Sequence, residues 1–472
     1  MGIFKNLRGI VQDMVKDKSR LTLLLLFLMA FAAMLLPFLY TSYPTSDDAW
    51  QHIQKAECYL RNGGFPLKAF YSISVEDCIS YPNYPPLFDV ILGFGSYFGM
   101  DFFARFFPSL LAAMAVFAFY PLARRFLDEK KALLATALAV FSPEYMVLGS
   151  TNAQPQILGI ILSLLCFNYL LSMLEDTKNR NYAVNFILAL IFSVLLFYSY
   201  TTYLGFTYFI LLIVVLIRKR SDFIKHIALL AASTAILSMP MLIKYISFPP
   251  PNAGLGIAKK IVVDSYWYLI PIRVGLPALF LAFFSRMKTQ HKKTIYPFVI
   301  FLVFVSFFQF IAPFPPTRNL AFLLFPLAIL GADGWGHFVE RIRLKRYYLH
   351  MTAVLVACSV IAGLFSAYYF VRLETATDSE YHASQWIISH PGKVATFNWG
   401  PFNYRADMQY NADIFGDLSG NIGRLGIDYV ILTSKTPEIY RMPNEEAAER
   451  LSAYCREVFR EDSAYIFDCR KA

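Results

Sequence analysis

Long apolar runs, separated by short polar stretches, set the pattern of this chain. Apolar runs fall at roughly 21–42, 104–123, 132–149, 156–174, 183–200, 202–217, 227–246, 267–285, 294–312, 319–338 and 350–371. About 18 or more consecutive apolar residues suffice for a helix to cross a bilayer. The pattern predicts an all-α polytopic membrane domain of about 11 transmembrane helices over residues 1–372. From about Glu374 the pattern changes, and charge becomes frequent. Ser379–Ser389 and Asn444–Val458 read as helices, while Val394–Asn398, Asp428–Thr433 and Ala464–Cys469 read as strands. A small soluble α/β domain is expected over 373–472. The first apolar run is too long for a signal-peptide core, so it reads as a retained span.

Charge decides the orientation. The net charge of +10 at 57% hydrophobic content suits nucleic acid only if the basic residues line one surface. Here they fall in short clusters between spans, which is the signature of membrane topology. The clusters are Lys5 to Arg20, Arg124 to Lys131, Lys178 and Arg180, Arg218 to Lys225, Arg286 to Lys293 and Arg341 to Arg346. Each lies in an alternate loop, so all share one side if the N-terminus is cytoplasmic. The apolar stretch Pro86–Met100 is short for a span, and counting it as one would break the alternation. It is expected to lie on the outer membrane surface, within a first outer loop of about 43–103. An odd number of spans then places the C-terminal domain outside.

Cys58 and Cys78 fall in that loop, and Cys455 and Cys469 in the C-terminal domain. Two pairs on the outer side suit an oxidising compartment and two disulfides. Four free thiols in a reducing one is the alternative.

Ionisable groups are almost absent from the spans, with Glu144, Arg273 and Asp333 the exceptions. Ion and proton transport normally needs charge at membrane depth, so polar chemistry is expected at the outer face. The first outer loop opens Tyr43-Pro44-Thr45-Ser46-Asp47-Asp48-Ala49-Trp50, followed by an amphipathic pattern with Trp50, Ile53 and Leu60 on one side. A carboxylate there is able to act as general base toward an attacking hydroxyl. Paired acids also suit a divalent cation such as Mg or Mn. The structural alternative is a capping box, Thr45-x-x-Asp48, with acids favouring the helix dipole.

Order and position connect these residues to a family. The acidic pair after the first span, then Tyr84-Pro85-Pro86-Leu87, then Arg105-Phe106-Phe107-Pro108 opening the second span and Arg124-Arg125 closing it, resemble the polytopic GT-C glycosyltransferases. The likeness is to protein O-mannosyltransferases and lipid A aminoarabinose transferases, over roughly 20–175. Beyond that it is chiefly hydropathy, plus Arg318 before Phe325-Pro326-Leu327. The resemblance implies inverting transfer of a sugar from a polyprenyl-phosphate-linked donor to a protein, lipid or glycan hydroxyl at the outer face. Asp47 would be the general base, and Asp48 would orient the acceptor or help bind a cation. Arg105, Arg318, Lys259 and Lys260 would meet the donor phosphate, against span-end snorkelling or a solvated loop as the plain readings. His52, Tyr84, Asn152, Gln154 and Tyr203 are candidate substrate contacts. The chain departs from the family in its second outer loop, where Asn152 and Gln154 stand in place of the usual acid; Glu144 is a weak substitute. Two rivals stay open: a transporter of lipids or lipid-linked glycans, and a catalytically silent relative that only binds.

Overall fold

The computed structural model describes residues 18–40, 47–61, 85–151, 154–175, 181–247, 270–307, 316–374, 377–390, 392, 394–395, 422–423, 426–434, 436–437 and 442–470. Among the described residues, helix is found in each interval read as a span. In chain order the helices are α1 (Lys18–Leu35, extended by a 3-10 turn to Tyr40), α2 (Asp47–Arg61), α3 (Leu87–Gly93), α4 (Met100–Arg124), α5 (Glu129–Val140), α6 (Pro143–Thr151), α7 (Pro155–Glu175), α8 (Tyr182–Phe197) and α9 (Thr201–Ile217). Then come α10 (Ile224–Leu237), α11 (Met239–Ser247), α12 (Ile270–Val274), α13 (Leu276–Ala282), α14 (Thr289–Phe307), α15 (Pro316–Arg341) and α16 (Tyr348–Glu374).

Five of the described helical stretches are long and apolar enough to cross a bilayer alone: Lys18–Leu39, Phe102–Arg124, Pro155–Glu175, Ala321–Arg341 and Lys345–Tyr369. A sixth is reached if α5 and α6, bent by 58°, count as one span. The sequence pattern counted intervals and missed the breaks inside them. Pro143 opens α6, and the residue before a proline is disfavoured in helix, so the apolar run 132–149 bends there. Gly275, at φ 95°, splits α12 from α13 in a backbone region that side chains resist.

One apolar core runs from Leu26 to Ala367 through most of these helices. Close approach is made possible by small residues, as in membrane bundles generally. On α15, a Cβ at Gly334 would lie 1.8 Å from the Leu281 carbonyl oxygen of α13, and one at Gly331 2.9 Å from that of Ala278. Several buried polar groups are satisfied across helices. Ser109 Oγ lies 3.2 Å from Met34 O and 3.0 Å from Gly149 O, and the Tyr145 hydroxyl donates to Ala112 O at 3.0 Å.

The C-terminal residues form α17 (Asp378–Ser389), α18 (Asn444–Ser452) and strands β1 (Val394–Ala395), β2 (Tyr429–Leu432), β3 (Arg456–Glu461) and β4 (Ala464–Asp468), in sheet order β1-β2-β4-β3. β1 and β2 are parallel and the other pairs antiparallel. Alternation along β2 separates two faces. Tyr429 and Ile431 pack with Ala383 and Ile387 of α17, whereas Val430 and Leu432 pack with Ala447, Ala448 and Leu451 of α18. A capping box at Thr377 and Glu380 starts α17, and Glu380 also accepts from Ser434. Cys455 and Cys469 form a disulfide. The helix read over Asn444–Val458 is shorter than its pattern suggests. It stops at Ser452, because Arg456 onwards pairs with β4 as a strand.

Candidate functional site

The stretch Pro86–Met100 is neither a span nor one continuous helix. Pro85-Pro86 precedes α3, a 3-10 turn covers Phe94–Phe98, and Gly99 turns the chain into α4. Leu87 N donates to Tyr198 O at 2.9 Å, which fixes α3 to the end of α8. α2 then packs on α3, burying Ala49, Trp50, Ile53 and Ala56. These positions recur at helical spacing; of the three residues read as the apolar side, Trp50 and Ile53 are buried and Leu60 is half-buried. Asp47 and Asp48 form its first turn; their side chains lie outside the described residues.

His52 and Asp89 lock the two helices together. His52 Nδ1 lies 2.5 Å from Asp89 Oδ1, with both residues buried, and the imidazole meets Phe88 edge-on. Asp89 Oδ2 has no hydrogen-bond partner among the described residues. Sequence reasoning singled out His52 as a substrate contact and missed Asp89. Its signal was present: Asp89 is the one charged residue in the stretch Pro86–Met100.

Arg105, one turn into α4, donates to Phe38 O at 2.6 Å. It thereby anchors the last described turn before the loop that leads to Asp47. Glu144 is held in a two-pronged ion pair with Arg273, at 2.7 and 3.0 Å. Both carboxylate oxygens of Glu144, read as a weak substitute for the second-loop acid, are thus engaged by the guanidinium. Tyr203 is fully buried, its ring stacked on Phe322 and its hydroxyl accepting from Gln156 Nε2 at 3.0 Å. It is a core residue here. Gln154 stands half-buried just before α7. The side chains of Arg318 and Cys58 lie outside the described residues, as do Tyr84, Asn152, Lys259, Lys260 and Cys78 altogether. Among the described residues no three His, Cys, Asp or Glu side chains cluster as metal ligands.

So one end of the bundle gathers α2, α3, the start of α4 and the end of α8, with Asp47 and Asp48 opening the surface helix. The sequence profile of the family described as dolichyl-phosphate-mannose-protein mannosyltransferase matches residues 83–243, about a third of the chain. No curated protein matches it by sequence. Among solved structures, ArnT from Cupriavidus metallidurans is similar with a TM-score of 0.65 at 13% identity, covering 94% of this chain and 97% of its own. The same protein bound to undecaprenyl phosphate gives 0.63 at 11% identity, with the same coverage. The fold is that of the GT-C glycosyltransferases. The oligosaccharyltransferase AglB from Archaeoglobus fulgidus, in complex with an inhibitory peptide and a dolichol-phosphate, shares it with a TM-score of 0.55 at 12% identity, over 97% of this chain and 75% of that one. The resemblance read over roughly residues 20–175 is thus joined by a likeness of fold along nearly the whole chain, and the long apolar helices fit a polytopic membrane architecture.

Proposed function

We propose that the protein is a membrane glycosyltransferase that moves a sugar from a polyprenyl-phosphate-linked donor to an acceptor hydroxyl, with inversion, at the outer face. The observation that carries this reading is the placement of α2. A helix beginning with two carboxylates is clamped by buried Trp50, His52 and Ile53 onto the end of a GT-C bundle. Asp47 takes the proton of the attacking hydroxyl, and Asp48 orients the acceptor or shares a divalent cation with it. The leaving lipid phosphate needs positive charge where its own charge develops. In this reading Arg105, which donates to Phe38 O at the end of α1, meets that phosphate together with Arg318, Lys259 and Lys260. Binding of undecaprenyl phosphate by the ArnT structure and of a dolichol-phosphate by AglB supports a lipid-phosphate donor.

In this reading eleven spans cross the membrane, the N-terminus is cytoplasmic and the C-terminal sheet lies outside. The test is turnover by the full chain in nanodiscs, supplied with undecaprenyl-phosphate- and dolichyl-phosphate-linked sugars and a mixture of peptide and lipid acceptors. Asp47→Asn is expected to lower turnover by at least ~10²-fold, the usual weight of a general base, with the unfolding midpoint unchanged. A transporter would tolerate both Asp47→Asn and Asp48→Asn. Full turnover in Asp47→Asn removes Asp47 from the mechanism, and an unchanged cellular glycome on deletion, without a redundant relative, removes the enzyme.

A further inference from the structure

The opposite end of the bundle carries a polar cavity of about 450 Å³, which plays no part in the chemistry above. It lies where the end of α4, the start of α5, the α13–α14 connection and α15 converge. Four fixed cations line it, Arg125, Lys131, Arg286 and Lys288, with His291 beside them and two carboxylates, Asp128 and Asp333. Both acids are already engaged. Asp128 caps α5 by accepting from Lys131 N at 3.0 Å. Asp333 accepts from Lys131 Nζ at 3.0 Å, from Ser285 Oγ at 2.9 Å and from Arg286 N at 2.9 Å. Arg125 is held by Asn168, Ser172 and Glu175. The side chains of Arg286 and Lys288 make no ion pair or hydrogen bond among the described residues, and both are exposed. The wall is thus rigid and the excess positive charge is uncommitted.

We infer that this cavity binds the phosphate of an anionic membrane lipid's headgroup. Its volume lies within the usual range of small-ligand sites, about 300–1,000 Å³. Arginine and lysine are the natural donors to a phosphate, and basic pockets between membrane helices are suited to anionic headgroups. A lipid fits better than a soluble phosphate because the apolar exterior begins three residues away. Phe283 is 83% exposed and Phe280 is exposed one helical turn earlier, so acyl chains have a hydrophobic wall to follow from Arg286. The headgroup would tie the α13–α14 connection to α5 and α15 and so brace the base of the bundle.

The experiment is native mass spectrometry of the full-length protein, released from nanodiscs of phosphatidylcholine doped with phosphatidylglycerol. The wild type is expected to retain phosphatidylglycerol preferentially, and the R286A/K288A variant to lose that retention by at least ~10-fold. The charge-keeping R286K/K288R variant should preserve it, which separates lost charge from misfolding. Inorganic phosphate at millimolar concentration is the second probe. Equal retention by wild type and R286A/K288A overturns the proposal. So does stabilisation by inorganic phosphate that matches that of the lipid, because the site would then recognise a free anion.

Discussion

His52 and Asp89 meet where two short helices cross, 2.5 Å apart and out of contact with solvent. Removing one partner of a buried polar pair leaves the other desolvated and unmatched, at a cost of about 3–5 kcal/mol, whereas replacing both with apolar groups costs much less. His52→Leu alone, which strands the Asp89 carboxylate, should therefore be more destabilising than the double variant with Asp89→Leu. A double-mutant cycle from denaturant titration in micelles should give a coupling of at least ~1.5 kcal/mol; additivity within ~0.5 kcal/mol would show that the two side chains act independently. The pair also shows what a single sequence discloses. His52 stood out because it followed an acidic pair, and Asp89 hid inside an apolar segment. Glu144 and Arg273 were both visible as isolated charges, but their separation of 129 positions left no local pattern joining them. Long-range pairing is a property of the packed bundle, and periodicity carries no record of it.

Helix crossings set a sharper constraint than helix formation. Gly334 sits where α15 passes α13 so closely that an added methyl carbon would lie 1.8 Å from a backbone oxygen. A carbonyl on a packed helix has no rotamer to escape into, so the helices must separate and give up the dispersion contacts around them. Gly334→Ala should lower the midpoint of thermal unfolding markedly, consistent with a loss of about 2 kcal/mol or more. Gly205, on α9, has nothing within 4 Å of its added carbon. Gly205→Ala should be neutral or stabilising by up to ~1 kcal/mol, because alanine favours helix. Size-exclusion chromatography of detergent extracts heated in steps measures both; equal midpoints would mean that the α13–α15 crossing is not as close as described. Hydropathy placed helix in all the apolar intervals, because desolvated backbone leaves little alternative. It was blind to the bends at Pro143 and Gly275, where local stereochemistry interrupts an unbroken apolar run. It also extended α18 too far, since the strand after Ser452 owes its existence to pairing with β4 rather than to its own residues.

The bundle has two chemically different ends. Basic clusters far apart in sequence converge at one end. Arg125 reaches Glu175, Arg220 donates to Leu174 O, Arg218 to Thr294, and Lys131 to Asp333. The other end carries α2, α3 and Arg105 bonded to Phe38 O. Positive charge favours the cytoplasmic side, so spatial convergence of these clusters strengthens the orientation their alternation suggested. If the basic end is cytoplasmic, α16 leaves the membrane on the outer side and carries the sheet there. The Cys455–Cys469 bridge, closing a separation of 14 residues, then forms in an oxidising compartment and contributes about 3 kcal/mol to local stability on the loop-entropy account. Alkaline phosphatase fused after Ala472 should be active and a green fluorescent protein fused there dark. In unreduced cells a membrane-impermeant maleimide should leave Cys455 and Cys469 unlabelled, and labelling should appear only after a reductant is added. A bright fluorescent fusion would invert the molecule and turn Asp47 and Asp48 toward the cytosol. The oxidised pair would then have no compartment to form in, and the outer-face reaction would have no carboxylate.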